Sequence, residues 1–152
     1  MPAHRPALCL NMIVRNESTI IGRCLAATLP AIAAWVICDT GSADDTPERI
    51  QRFFAERGIL GELHTFAFES FEQARNEAMR RARTSSLEFD YLLLADADME
   101  LVIEDPGFAE GLSAHSYALR QQNDVSYFNT RLVRRDAPAR YVGVTHEYLD
   151  TG

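Results

Sequence analysis

The chain has 152 residues, 47% of them apolar and 24% charged, which suits one domain built around one core. Its formal net charge of −7 excludes a broad electrostatic hold on nucleic acid. All 15 basic residues are arginine, so P-loop and Schiff-base chemistry, which need lysine, are excluded, and only arginine, histidine or backbone amides can meet a phosphate directly.

Residues 1–6 read as a loose leader. Ala7 to Val14 reads as a buried strand closed by the polar run Arg15-Asn16-Glu17. Ser18 is the expected cap of a helix with Ile21, Cys24, Leu25 and Leu29 at helical spacing, ended by Pro30. Trp35 to Cys38 is a second short strand, closed by Asp39-Thr40-Gly41-Ser42. Thr46 as cap and Pro47 in the first turn predict a helix carrying Ile50, Phe53 and Phe54, with Gly58 at its end. A third strand is expected within Leu60 to Phe68. Ser70 and Gln73 then form a capping-box pattern before a helix with Phe71, Ala74, Ala78 and Ala82 on one side. Asp90 to Ala95 is a fourth strand running into Asp96. Beyond Pro106, Ser116 to Gln122 and Val125 to Arg134 read as two strands joined at Asn123-Asp124. The last residues form a polar, strand-like segment, and the expectation is a domain truncated at its C-terminus.

Strands and helices alternate over the first 96 residues, which predicts an α/β fold with a mostly parallel sheet, helices on both faces and a C-terminal antiparallel portion. Cys9, Cys24 and Cys38 lie far apart in apolar segments without a CxxC pair, and are expected to be reduced core residues. Leu8 to Val14 is too short and too interrupted by Asn11 for a signal peptide, and no run reaches the ~18 apolar residues of a membrane span. A cytoplasmic location without a membrane span is the expectation.

In open α/β sheets, ligands bind beyond the carboxyl ends of the strands. Arg15-Asn16-Glu17, Asp39-Thr40-Gly41-Ser42 and Asp96-Ala97-Asp98 should therefore meet on one rim. As many as five carboxylates would crowd there, counting Asp44 or Asp45, and a cation or donor groups must offset them. Asp96 and Asp98 are the sharpest feature. Hard oxygen ligands suit Mg²⁺ or Mn²⁺, and Mg²⁺ is commonly held by one or two carboxylates plus substrate phosphates. Strand alternation would put both carboxylates on one side, with Ala97 turned away. An EF-hand is excluded, because Leu101 and Gly107 stand where that loop needs glycine and glutamate.

Four segments in order, Leu10-Asn11-Met12-Ile13-Val14-Arg15-Asn16-Glu17, Cys38-Asp39-Thr40-Gly41-Ser42-Ala43-Asp44-Asp45-Thr46, Ala74-Arg75-Asn76-Glu77-Ala78 and Asp96-Ala97-Asp98, resemble family 2 glycosyltransferases of the GT-A fold. The similarity is greatest to the bacterial subgroup in which this domain is often joined to tetratricopeptide repeats. The resemblance covers about residues 8 to 150, and implies a nucleotide-sugar-binding half over 7–98 and an acceptor-side portion over 99–152. It implies that Asn16, Glu17, Asp39, Gly41, Ser42, Arg75, Asn76 and Asp96 bind the nucleotide sugar. Asp39 would accept from the base N–H, a contact suited to uracil, and Arg75 would supply a phosphate cation. It also implies that Asp96 and Asp98 hold the metal. Thr145-His146-Glu147-Tyr148 fits the same subgroup, with Glu147 as general base and His146 near metal or phosphate. Ala43 departs from the threonine usual in the second motif, and domains of this family usually continue past residue 152. The expected activity is metal-dependent, inverting transfer of a sugar, from a donor that is most simply UDP-linked, to a glycan, lipid or protein hydroxyl. Two other readings remain: a truncated or degenerate nucleotide-binding module without turnover, and a nucleotidyltransferase. The second would need a glycine-rich phosphate loop that Arg15-Asn16-Glu17-Ser18 does not offer.

Overall fold

The computed structural model describes residues 5–143 and 148–152. Two helices and three strands alternate first: β1 (Leu8–Val14), α1 (Ile21–Thr28), β2 (Ala34–Asp39), α2 (Thr46–Arg57) and β3 (Gly61–Thr65). Then follow α3 (Phe71–Arg83), β4 (Tyr91–Leu94), β5 (Ser116–Gln122), β6 (Ser126–Arg134), β7 (Arg140–Val142) and β8 (Tyr148–Asp150). The main sheet has the order β3-β2-β1-β4-β6-β5. Its first four strands are parallel; β6 adds antiparallel to β4, and β5 antiparallel to β6. A separate antiparallel pair joins β7 to β8.

The expected α/β architecture is therefore present, and burial explains it. β1, β2 and β4 are apolar on both faces because helices cover both. Ile21, Cys24 and Leu25 of α1, with Ile50 and Phe54 of α2, pack on Leu10, Met12, Ile37 and Leu93 on one face. On the other, Met79 and Ala82 of α3 pack on Cys9, Val36, Leu92 and Leu94. Asn11 is a buried polar residue on β1, and its amide nitrogen donates to Val36 O and Ala78 O, both at 3.0 Å. Those two bonds satisfy the amide donor and tie α3 to the sheet. Cys9, Cys24 and Cys38 are free and buried, and burial pushes each thiol up to about 12. They are inert core residues, as expected.

Trp35 anchors the first layer. Its ring stacks on Phe54 at 4.6 Å between centroids, and its indole N–H donates to Ile59 O at 3.1 Å. Gly61 begins β3 directly against that ring: a Cβ built there would lie 2.1 Å from a Trp35 ring carbon. Gly61→Ala is expected to destabilise the fold by about 1–3 kcal/mol through overpacking, read as a lower urea midpoint at unchanged slope.

Two local expectations need correction. Ser18 does not cap α1; Ile20 occupies the cap position, and Glu17 O accepts from the amides of Ile20 and Ile21. Thr46 lies inside α2, one residue after the cap position of Asp45. The C-terminal antiparallel portion is present, and includes the pair β7–β8 beyond the two strands read over 116–134. Ser70 caps α3 as expected, with Gln73 N donating to Ser70 Oγ at 3.1 Å, while Gln73 Oε1 accepts from Glu69 N at 3.4 Å, one residue before the cap. Among the described residues, no helix is long and apolar enough to cross a membrane.

Candidate functional site

The chain runs outward from β1 to β2 and β3, then returns through α3 to place β4 on the other side of β1. The direction of winding thus reverses between β1 and β4, and a crevice opens at the carboxyl ends of strands at such a point. The segment after β1 carries Asn16 and Glu17; the segment after β4 carries Asp96 and Asp98. β2, one strand away, ends in Asp39, and Gly41 and Ser42 follow it.

The β1 and β2 loops are bound to each other. Asn16 adopts φ 53°, a left-handed conformation in which asparagine is favoured among non-glycine residues. Its amide N donates to Ser42 Oγ at 2.9 Å, and its Oδ1 accepts from Ala43 N at 2.7 Å. Glu17 N donates to Thr46 Oγ1 at 2.8 Å, and Ser18 N to Asp44 Oδ2 at 3.3 Å. Asp39, only 2% exposed, organises the turn that follows it. Its Oδ1 accepts from Gly41 N and Ser42 N, both at 2.8 Å, and its Oδ2 accepts from Ser42 Oγ at 2.5 Å. Gly41 at φ +119° occupies a backbone region that a side chain would strain. A carboxylate has about four acceptor sites, so Asp39 retains one beyond these three donors.

The β4 end differs in form from the expectation. The strand stops at Leu94, and Asp96-Ala97-Asp98 forms a turn in which Met99 N donates to Asp96 O at 3.0 Å. Alternation therefore does not continue through the pair. Ala97 is buried in the core cluster, Asp96 is half-buried and Asp98 is exposed. Asp96 is not a bare carboxylate. Arg75, from the first half of α3, donates from Nη1 to its Oδ1 at 2.9 Å. Arg131, from β6, approaches its Oδ2 at 3.7 Å. The Arg75 guanidinium lies 5.4 Å from the Tyr141 ring and 5.8 Å from the Phe71 ring, within cation–π range of both.

The acids of the rim act on one another. The carboxyl of Glu17 is held above its ordinary value of 4.5 by burial first, then by the negative charges of Asp98, Asp44 and Asp96. Asp44 is pulled down to about 2, chiefly by the hydrogen bond from Thr46. Raising the folded-state value of Glu17 means that its ionised form opposes folding. That contribution favours the folded chain below pH 4.5 and is lost as pH rises through the folded-state value. Glu17→Gln is therefore expected to melt higher than the parent near neutral pH, with the difference disappearing below pH 4.5. Equal melting temperatures at both pH values would contradict the electrostatic account.

Other expected site residues fall differently. Asn76 turns both amide atoms to β7, with Nδ2 donating to Tyr141 O at 2.9 Å and Oδ1 accepting from Tyr141 N at 2.6 Å. It fixes β7 to α3 and is not among the groups on the rim. Asp45 pairs with Arg49 along α2, away from the acidic group. Glu147 and His146 lie outside the described residues. Among the described residues, no three His, Cys, Asp or Glu side chains close on one point as a complete metal site. Two carboxylates with exposed Asp98 and half-buried Asp96 do fit the partial protein share that Mg²⁺ commonly takes when phosphate supplies the remainder. Arg131 is the residue that sequence reasoning missed. Its only signal is a charge inside the strand run Asn129-Thr130-Arg131-Leu132.

No protein-family model matches the chain. Over 98 residues, 64% of its length, the chain is 37% identical to a TPR repeat-containing protein of Synechococcus elongatus. It spans only 21% of the length of that relative. Among solved structures, S. aureus TarS 1–349 is similar at 17% identity and a TM-score of 0.48, over 60% of this chain and 27% of that one. TarS 1–349 in complex with UDP gives the same values. The structure titled S. aureus TarS gives the same identity and TM-score, over 16% of its chain.

Proposed function

We propose that the chain carries the donor-binding part of a glycosyltransferase that uses a nucleotide sugar, most simply a UDP-sugar, with Mg²⁺ or Mn²⁺. The observation that carries this reading is the meeting of Glu17, Asp96, Asp98 and Arg75 at the β1–β4 reversal, with the Asp39 turn beside them. The order of the four sequence segments supports the same reading. The 37% identity to a TPR repeat-containing protein fits the subgroup in which such a domain is joined to those repeats.

In this proposal Asp39 uses its remaining acceptor site for the N3–H of uracil, and Gly41 leaves the backbone open to the nucleoside. Glu17 lies on the sugar side of the nucleoside. Asp98, with Asp96, would hold the metal, which would supply charge neutralisation for the diphosphate. Arg75 shares the charge that develops on the departing diphosphate, in a position already fixed by α3, Phe71 and Tyr141. The acceptor oxygen attacks the anomeric carbon on the face opposite the departing oxygen, so the carbon–oxygen bond to the diphosphate breaks as the new one forms. The acceptor proton passes to a carboxylate, assigned here to Glu147.

A thermal-shift series with UDP-, GDP- and dTDP-sugars and Mn²⁺ tests the reading. A ligand at about 100 times its Kd stabilises the folded chain by roughly 2.7 kcal/mol. A shift with one nucleotide that EDTA removes is the expected result; no shift with any nucleotide overturns the proposal. A second reading, nucleotide binding without turnover, is favoured by one observation: Asp96 is engaged by two arginines. Metal-dependent binding with no donor cleavage by the chain in its full natural context would select it.

A further inference from the structure

Arg131 reaches the rim from the hairpin of β5 and β6, beyond β4. The register of that hairpin slips between Tyr117, opposite Leu132, and Ala118, opposite Thr130. Arg131 is left as the extra residue of a β-bulge, a device that re-aims a side chain. Neighbouring β6 residues Ser126 to Asn129 are exposed, yet the Arg131 side chain is only 12% exposed. Its Nε donates to Gln121 Oε1 at 3.1 Å, which fixes the plane of the guanidinium, while Nη2 lies 3.7 Å from Asp96 Oδ2.

That last contact is longer than a hydrogen bond, and Arg75 already holds the other oxygen of Asp96 at 2.9 Å. Nη2 of Arg131, 3.7 Å from Asp96 Oδ2 and without a hydrogen bond to it, is placed to meet a second anion that arrives beside Asp96. A guanidinium fork binds phosphate oxygens in pairs, and this chain has no lysine for the task.

We propose that Arg131 is a second phosphate-binding arginine of the donor site, delivered by the β5–β6 hairpin and aimed by its bulge and by Gln121. The proposal rests on the nucleotide-binding reading above. When a nucleoside diphosphate enters, the Nη groups of Arg131 turn from Asp96 Oδ2 to a phosphate oxygen, while Arg75 keeps Asp96 Oδ1.

Calorimetric titration of the intact chain with UDP and with uridine, each with Mn²⁺, separates this role from a structural one. Arg131→Gln is expected to weaken UDP about 10- to 100-fold and to leave uridine unchanged, because uridine carries no phosphate. Arg131→Lys, which keeps the charge and loses the fork, should fall between. Equal weakening of UDP and uridine would make Arg131 a pin for the hairpin and overturn the proposal, as would unchanged UDP affinity. If Arg131→Gln does not fold, the same comparison of UDP with uridine in Arg131→Lys decides the matter. Failure of the unaltered chain to bind any nucleotide would remove the donor-site reading itself, a result distinct from either.

Discussion

Replacing Asp98 with alanine is expected to lower Mn²⁺-supported UDP affinity by about 100-fold, or ~2.8 kcal/mol, without harming the fold. The reason lies in how the two acids of the β4 turn differ. Asp96 is half-buried and engaged by Arg75 and Arg131, whereas Asp98 is exposed and free to turn toward a cation. Its charge also helps raise Glu17, so its removal relieves a repulsion in the free chain. The variant should therefore melt at or slightly above the parent temperature without ligand, and lose the shift that UDP and Mn²⁺ give the parent. Undiminished UDP binding would show that the metal, if used, is held elsewhere. A lower melting temperature without ligand would show that Asp98 is structural.

The largest effect on stability is expected at Phe54. This ring is 0% exposed, stacks on Trp35 at 4.6 Å and meets Phe53 edge-on at 5.1 Å. Phe54→Ala removes the transfer energy of the ring, empties a space that rigid neighbours cannot fill, and breaks the stack. Together these cost about 3–5 kcal/mol. For a chain of this size the melting temperature should fall by roughly 10 °C, measurable by circular dichroism. A fall of only ~1 kcal/mol would mean that Trp35 and Ile50 close over the gap.

Most of the fold was legible because its signals are local. The apolar runs of β1, β2 and β4, the Pro47 entry to α2 and the Ser70 cap of α3 each act within a few residues, and the structure follows them. The misses share a cause: they depend on residues far apart in sequence. Ser18 has the chemistry of a helix cap, but its amide is taken by Asp44, and the preceding Glu17 carbonyl starts α1 instead. The three-residue strands β7 and β8 exist through each other and through Asn76, a pairing that no periodicity reveals. The rim itself was legible from strand ends, including Glu17, Asp39, Asp96 and Asp98. The pairing partners of Asp96 were not, since Arg131 arrives by a register slip between two strands.

The bonds between the β1 and β2 loops have a consequence for engineering. Asn16 donates to Ser42 and accepts from Ala43, while the amides of Glu17 and Ser18 donate to Thr46 and Asp44. Every one of these contacts joins a backbone atom of one loop to a side chain of the other. Neither loop then has an independent shape to transplant. Exchanging residues 40–46 alone would remove the Ser42, Asp44 and Thr46 side chains that accept from the amides of 16–18, and exchanging 15–20 alone would remove the Asn16 Oδ1 that accepts from Ala43 N. The two segments form one cassette, and substitutions that recombine them between relatives should succeed only when both travel together.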